Sequence, residues 1–391
     1  VTAGADVEVN HFTYIGNQSG ANGTLNLDGA GTTFTQSGNQ LRIGQNNNAT
    51  GTMTVSNSAL VDTSTKQTYL GTLDGSTGNL TVQSGGTFTG DRFFIGNNDG
   101  GTGNVTVTGS GSTLTSDNKL YVGNNGTGTM MISNSADVTS TDETILGSSS
   151  TGTGSMTVTG SGSTLTSGNL MKIGAGGTGT LTIADSGAVS VTNNKNVLIA
   201  DSSGSNGTLN VNTNSTLSSH RLVVGSQGTG AMTISGSADV TSADETIVGS
   251  TNTSNGSLTV TGSGSTHVSG SFLKVGASGT GTMTIADSAA VTVNNNKDFY
   301  LGAASGSNGT LNVNTNATMS AYNLFVANNG TANMTVDGSA DVSTANNVNI
   351  GAQSTGNGNL TVTGSGTTCL LYTSDAADDS LRVDLGGRRI I

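Results

Sequence analysis

Short runs in which aliphatic side chains alternate with Thr, Ser or Asn recur along almost the whole chain, each ended by a cluster of Gly, Ser and Asn. Alternation with a period of two places successive side chains on opposite faces of an extended strand. In residues 156–174, MTVTGSGSTLTSGNLMKIG, three such runs follow one another. Equivalent runs elsewhere, GTLTI at 179–183, ADVTS at 136–140 and RLVVG at 221–225, repeat the three in order. The pattern predicts three short strands per unit, with Gly at the corners because the turns need a positive φ or a close backbone approach.

An aliphatic residue followed by Gly closes each unit: Ile15-Gly16, Ile43-Gly44, Leu70-Gly71, Ile95-Gly96, Val122-Gly123, Leu146-Gly147 and Ile173-Gly174, then Val224-Gly225, Val248-Gly249, Val275-Gly276, Leu301-Gly302 and Ile350-Gly351, with Ala in Ile199-Ala200 and Val326-Ala327. The intervals run from 24 to 28 residues. That period is too short for helical-pair repeats or propeller blades and suits one turn of a solenoid. From residue 147 the intervals are 27, 26, 25 and 24, and then the same four again, so residues 147–248 and 249–350 are two copies of a 102-residue block. SGSNGTLNVNTN stands at 203–214 and again at 305–316.

No helical period or capping pattern interrupts the strands, so each is expected to pair in parallel with its equivalent in the next coil. The predicted fold is all-β: a single-stranded parallel β-helix, or β-solenoid, right-handed, of about 14 coils of 24–28 residues, spanning residues 1–368. At Thr368 the alternation breaks. Residues 369–391, CLLYTSDAADDSLRVDLGGRRII, read as a non-repeat tail that resembles translated adaptor or vector sequence, with a native cap as the other reading.

Composition narrows the function classes. The chain of 391 residues is 32% hydrophobic and 9% charged, has 61 Gly and no Pro, and carries a formal charge of −12. Nucleic-acid binding needs clustered Lys and Arg, and residues 1–368 hold only nine of the twelve basic residues, so no nucleic-acid partner is expected. The single cysteine, Cys369, forms no internal disulfide. No apolar run reaches the ~18 residues of a membrane-spanning helix.

The pattern GTGxLTVxGSGSxLTS…LxIG resembles the passenger repeats of bacterial autotransporters and related exported β-strand-repeat proteins, over residues 1–368. The resemblance implies a right-handed parallel β-helix displayed outside the cell, at the bacterial surface, and used in adhesion, aggregation or biofilm contacts. It also implies host, matrix or cell-surface glycan or protein ligands and self-association, with no cofactor. The chain shows neither the signal peptide nor the C-terminal translocator barrel of the complete family pattern and reads as an internal fragment.

Candidate chemistry is sparse, and no enzymatic activity, catalytic residue or metal site is expected. Asp142-Glu143 and Asp244-Glu245 are the nearest to paired carboxylates, but adjacent residues of a strand point to opposite faces, and the third equivalent is Asn346-Asn347. His11, His220 and His267 occupy unrelated coil positions, His267 standing where Leu165 stands in the preceding block. Metal sites need several convergent groups. Gly174, Gly176 and Gly179 match G-x-G-x-x-G without the strand–helix unit that would hold a dinucleotide. Asp99 in GNNDGGTGN lacks the further carboxylates that calcium requires.

The divergent coils at 60–100 carry Lys66, Asp91, Arg92 and Asp99, the site expected if the solenoid instead binds or cleaves polysaccharides. A third reading rests on the second outward position of the first strand, occupied by Thr54, Thr81, Thr106, Thr157, Thr182, Thr233, Thr259, Thr284, Thr335 and Thr361, with Asn26, Asn210, Asn312 and Met131 in the other coils. This ladder is the candidate surface-contact row, and it resembles the Thr face of β-solenoid ice-binding proteins. The strand propensity of Thr accounts for most of it.

Overall fold

A computed structural model describes residues 1–2, 4–294 and 296–371, with the side chains of Leu370 and Leu371 excepted. The chain makes about 14 turns of a parallel β-solenoid, with no helix among the described residues. It divides into two compact units, Val1–Thr208 and Leu209–Ile391.

In the first unit the longest strand of each coil stacks in register on the next: Asn22–Asp28, Thr50–Ser56, Thr77–Gln83, Thr102–Thr108, Thr127–Ser133, Thr153–Thr159 and Thr178–Ala184. The second unit repeats the ladder with Thr229–Ile234, Asn255–Thr261, Thr280–Ala286, Asn308–Val313, Thr331–Val336 and Asn357–Val362. Each coil then turns into a four-residue second strand, such as Thr164–Ser167, and a three- or four-residue third strand, such as Met171–Ile173. Two coils depart from this. Leu60–Leu70 and Thr87–Ile95 run through the second corner without a break, with a bulge between Thr63 and Gln67.

Alternation buries one residue in two. Met53, Val55, Leu80 and Val82 from the first strands, Phe88 and Leu114 from the second, and Phe93, Ile95, Leu120 and Val122 from the third line the same interior, all at 0–1% exposure. Phe88 and Phe93 meet edge to face with ring centroids 5.1 Å apart. Within the interior the corners are held by buried Ser. Ser140 Oγ lies 2.9 Å from both the Asn118 and Glu143 carbonyls, and Ser242, its equivalent 102 residues on, lies 3.1 and 2.9 Å from those of His220 and Glu245. The final Ser of DVTS and TLTS therefore ties the second strand to the bend that starts the third. Buried polar groups are tolerated where hydrogen-bonded.

The corner glycines have the backbone the sequence implied. Gly160 and Gly162 of TGSGS have φ of 89° and 79°, and the closing Gly123 has φ 71°. A Cβ on Gly123 would sit 2.1 Å from the Thr153 carbonyl oxygen of the next coil. The second-strand ladder of the second unit runs on through Thr368–Leu371, with Cys369 opposite Val342, so the repeat register extends to Leu371. Burial pushes the Cys369 thiol pKa upward. Residues 372–391, the rest of the segment read as adaptor-derived or capping, lie outside the described residues.

Candidate functional site

The solenoid presents three outward faces, one for each strand of the coil, and they differ in chemistry. On the first-strand face the expected Thr row is in register. In the first unit Thr54, Thr81 and Thr106 are consecutive partners, Met131 follows at 43% exposure, and Thr157 and Thr182 continue. In the second unit Thr233, Thr259 and Thr284 are consecutive, then Asn312, Thr335 and Thr361.

A more regular row lies four residues earlier in the strand. Thr50, Thr77, Thr102, Thr127, Thr153 and Thr178 are six consecutive partners without interruption, and the second unit alternates Thr229, Asn255, Thr280, Asn308, Thr331 and Asn357. The row is hidden in the sequence because every member but Thr331 precedes a Gly and looks like part of the turn. That Gly is the inward residue: a Cβ on Gly78 would come within 2.3 Å of the Ile43 carbonyl oxygen. Between the two rows Asn104 donates to Asn79 at 2.9 Å and accepts from Thr129 at 2.6 Å. The face is rich in hydroxyls and carboxamides.

The candidate carboxylates fall elsewhere, on the corner leading into the third strand. Asp142 and Glu143 do not alternate across a strand, as the sequence reading required. They sit in the bend between Asp137–Ser140 and Thr144–Leu146, where the pleat is broken, and both reach Lys119 Nζ, at 3.9 and 2.8 Å. The hydrogen bond to Glu143 raises the Lys119 pKa, which marks a charge pair rather than a poised acid and base. In the second unit Glu245 takes Arg221 at 2.8 Å and Lys274 at 3.0 Å, and Asp244 lies 3.9 Å from His220.

Of the four residues proposed for a polysaccharide site, only Asp91 and Arg92 approach each other, at 3.9 Å. Lys66 is in the bulged corner, and Asp99 is exposed in the turn after Ile95, beyond the far end of the third strand. Asp117 lies on the same corner, its pKa raised by burial and then by Asp62 and Asp91. No group of three His, Cys, Asp or Glu among the described residues is arranged to hold a metal ion. His11 is exposed, whereas His267 is fully buried, and burial lowers its pKa to about 4. Gly174 and Gly176 lie in the corner before the strand Thr178–Ala184, and Gly179 is an inward residue of that strand.

The third-strand face, counted from the end of the second strand, holds what the other two lack. All nine Lys and Arg of the described residues are on it: Arg42, Lys66, Arg92, Lys119, Lys172 and Lys195 in the first unit, and Arg221, Lys274 and Lys297 in the second. So is every described aromatic outside the core: Phe12, Tyr14, Tyr69, Phe94 and Tyr121 in the first unit, and Phe272, Tyr300, Tyr322 and Phe325 in the second.

In the first unit these side chains form a continuous column. Arg42 lies 5.5 Å from both the Phe12 and Tyr69 rings. Tyr69, Phe94 and Tyr121 then stack at 4.8 and 4.7 Å, with interplanar angles of 7° and 5°. In the second unit Tyr300 stacks on Phe325 at 4.8 Å and 9°. The Tyr300 hydroxyl donates to Asp298 at 3.0 Å, and its pKa is pushed up to about 12, first by burial and then by that carboxylate.

No family model, curated protein or solved structure matches this chain.

Proposed function

We propose that this solenoid is a structural and adhesive surface element, displayed outside a bacterial cell as part of an autotransporter-type passenger, without catalytic activity. One observation carries the reading. A single cassette is used coil after coil, down to a duplicated block of 102 residues, and its inward rows stay predominantly aliphatic. Such a molecule multiplies equivalent weak contacts along its length, and avidity from many modest contacts exceeds the affinity of each.

The pairing of the carboxylates supports the non-catalytic part. Asp142, Glu143 and Glu245 each have a Lys or Arg within 4 Å, an arrangement that stabilises a corner. The ligands under this reading are cell-surface or matrix glycans and proteins, with self-association through the same faces.

The test is display. Expressed on a non-adherent bacterium behind an export signal and a translocator barrel, the chain is expected to increase autoaggregation or attachment to matrix-coated surfaces. Protease shaving should release it and reverse the effect. Cells that display the chain and neither aggregate nor attach would overturn the reading. Release of oligosaccharides from acidic or neutral polysaccharides by the purified chain would overturn its non-catalytic part.

A further inference from the structure

We infer that the third-strand face is the ligand-contact face, and that in the second unit it contains a binding cleft for a neutral pyranose ring of a glycan. The inference rests on the adhesive reading and names a partner class for it.

The first support is segregation. In a chain with 4% aromatic residues, the described rings are either in the core or on this one face. Nothing in coil geometry demands that, since the first and second strands also offer outward positions and carry no described aromatic ring there. A partly exposed ring forgoes burial that the interior would supply, so its repeated placement on one face marks contact with something else.

The second support is the cleft, of about 270 Å³ and lined by Phe272, Lys274, Tyr300, Ala303 and Asn328. Tyr300 has Lys274 as its register partner on one side and Phe325 on the other. Its stack on Phe325 occupies one ring face and holds the ring in place. Phe272 lies in the coil on the Lys274 side, its ring centroid 6.0 Å from that of Tyr300 at a 51° tilt. A fixed aromatic wall with an ammonium and a carboxamide at its rim is the equipment for a pyranose: the ring covers the apolar C–H face of the sugar while the polar groups meet its hydroxyls. The volume is just below the roughly 300–1,000 Å³ of small-molecule sites, enough for one sugar residue of a longer chain.

Charge selects a neutral sugar. Lys274 Nζ is engaged by Glu245 at 3.0 Å, and Asp298 holds Tyr300 and Asn323. Lys297 lies 5.3 Å from the Phe272 ring. Glu245 and Asp298 thus stand beside the cleft, and their charge opposes a uronate.

The third support is the duplication. The positions of Phe272, Tyr300 and Phe325 are held 102 residues earlier by Leu170, Leu198 and Val223. The scaffold residues agree between the copies, so the rings are not needed to build the coil. The same comparison supplies variants expected to fold, Phe272→Leu and Tyr300→Leu.

The experiment is calorimetric titration of the full chain with hexasaccharides of β-linked glucose, of N-acetylglucosamine and of galacturonate, in parallel with both variants. The expected result is binding of a neutral hexasaccharide that weakens about tenfold or more in Tyr300→Leu and in Phe272→Leu, with circular dichroism and melting unchanged. Absence of binding to either neutral sugar, binding of galacturonate alone, or binding indifferent to Tyr300→Leu would each overturn the inference. If displayed cells adhere while the chain binds no sugar, the glycan assignment falls and the adhesive reading stands. If the cleft binds sugar and displayed cells do not adhere, the reverse holds.

Discussion

The imidazole Nε2 of His267 lies 3.0 Å from the Thr246 hydroxyl inside the solenoid, with Val240 and Val291 as its register partners in the adjoining coils. Both His267 and Thr246 are completely buried. The first block seats Leu165 at the same position.

This relationship makes the second unit acid-sensitive. Burial holds the His267 pKa at about 4, below the ordinary 6.5, so the unfolded chain binds a proton that the folded chain refuses. Stability is therefore full above pH 6.5, falls as the pH drops from 6.5 toward 4, and levels off below that, by about 3 kcal/mol from this group. Urea midpoints of the native chain and His267→Leu at pH 7.5, 5.5 and 4 are expected to diverge only at the acid end, the variant keeping more of its stability. Parallel pH profiles would refute the assignment.

Two glycine substitutions separate backbone strain from collision. Gly123 and Gly204 have φ of 71° and 79°, but a Cβ on Gly204 meets nothing within 4 Å, whereas one on Gly123 strikes the Thr153 carbonyl. Gly204→Ala should cost about 1–2 kcal/mol, the expense of the left-handed backbone alone. Gly123→Ala should exceed about 4 kcal/mol or fail to fold. Equal melting temperatures for the two would show that the coils do not pack as closely as described.

The interior serines at the second corner are clamps. Replacing Ser140 by Ala removes the hydroxyl donor shared by the Asn118 and Glu143 carbonyls, which keep the Asp142 and Leu120 amides as donors. The expected loss is about 0.5–1.5 kcal/mol, and Ser242→Ala should match it in the second unit. Hydrogen exchange localised to the coil provides the check, with accelerated exchange at Thr144–Leu146 or Thr246–Val248. Unchanged protection would reduce these serines to space fillers.

The aromatic column of the first unit should behave as a coupled set. With ring centroids 4.7 Å apart and nearly parallel planes, Phe94 and Tyr121 are expected to show an interaction energy of about 0.5–1.5 kcal/mol in a double-mutant cycle to Leu. A cycle that closes at zero would mean that the rings are neighbours without being partners.

The repeat made the architecture legible. Strand and corner preferences are local, so GTMTV and TGSGS state their own conformation, and a 24–28-residue period with no helical stretch leaves parallel stacking as the way to bury the inward rows. The Thr54 row could be read for the same reason, since it needs only the alternation within a strand and a common starting mark. The Thr50 row follows from the same alternation once the small residue after each member, Gly in all coils but that of Thr331, is taken as inward.

Sites required more than alternation. Asp142 and Glu143 looked divergent because strand geometry was extended into the bend between Ser140 and Thr144, and only the folded corner brings both to Lys119. His267 reads as a polar substitution in sequence, yet its strand position seals it from water. The gathering of Lys, Arg and exposed rings on one face depends on where each coil's variable corner places its residues relative to the neighbouring coil. The sequence by itself determined the coil, its corners and its inward rows, because each follows from conformational preferences within a few residues. The tertiary structure decided which side chains of successive coils stand within reach of one another, because register and corner geometry bring together residues some 25 positions apart.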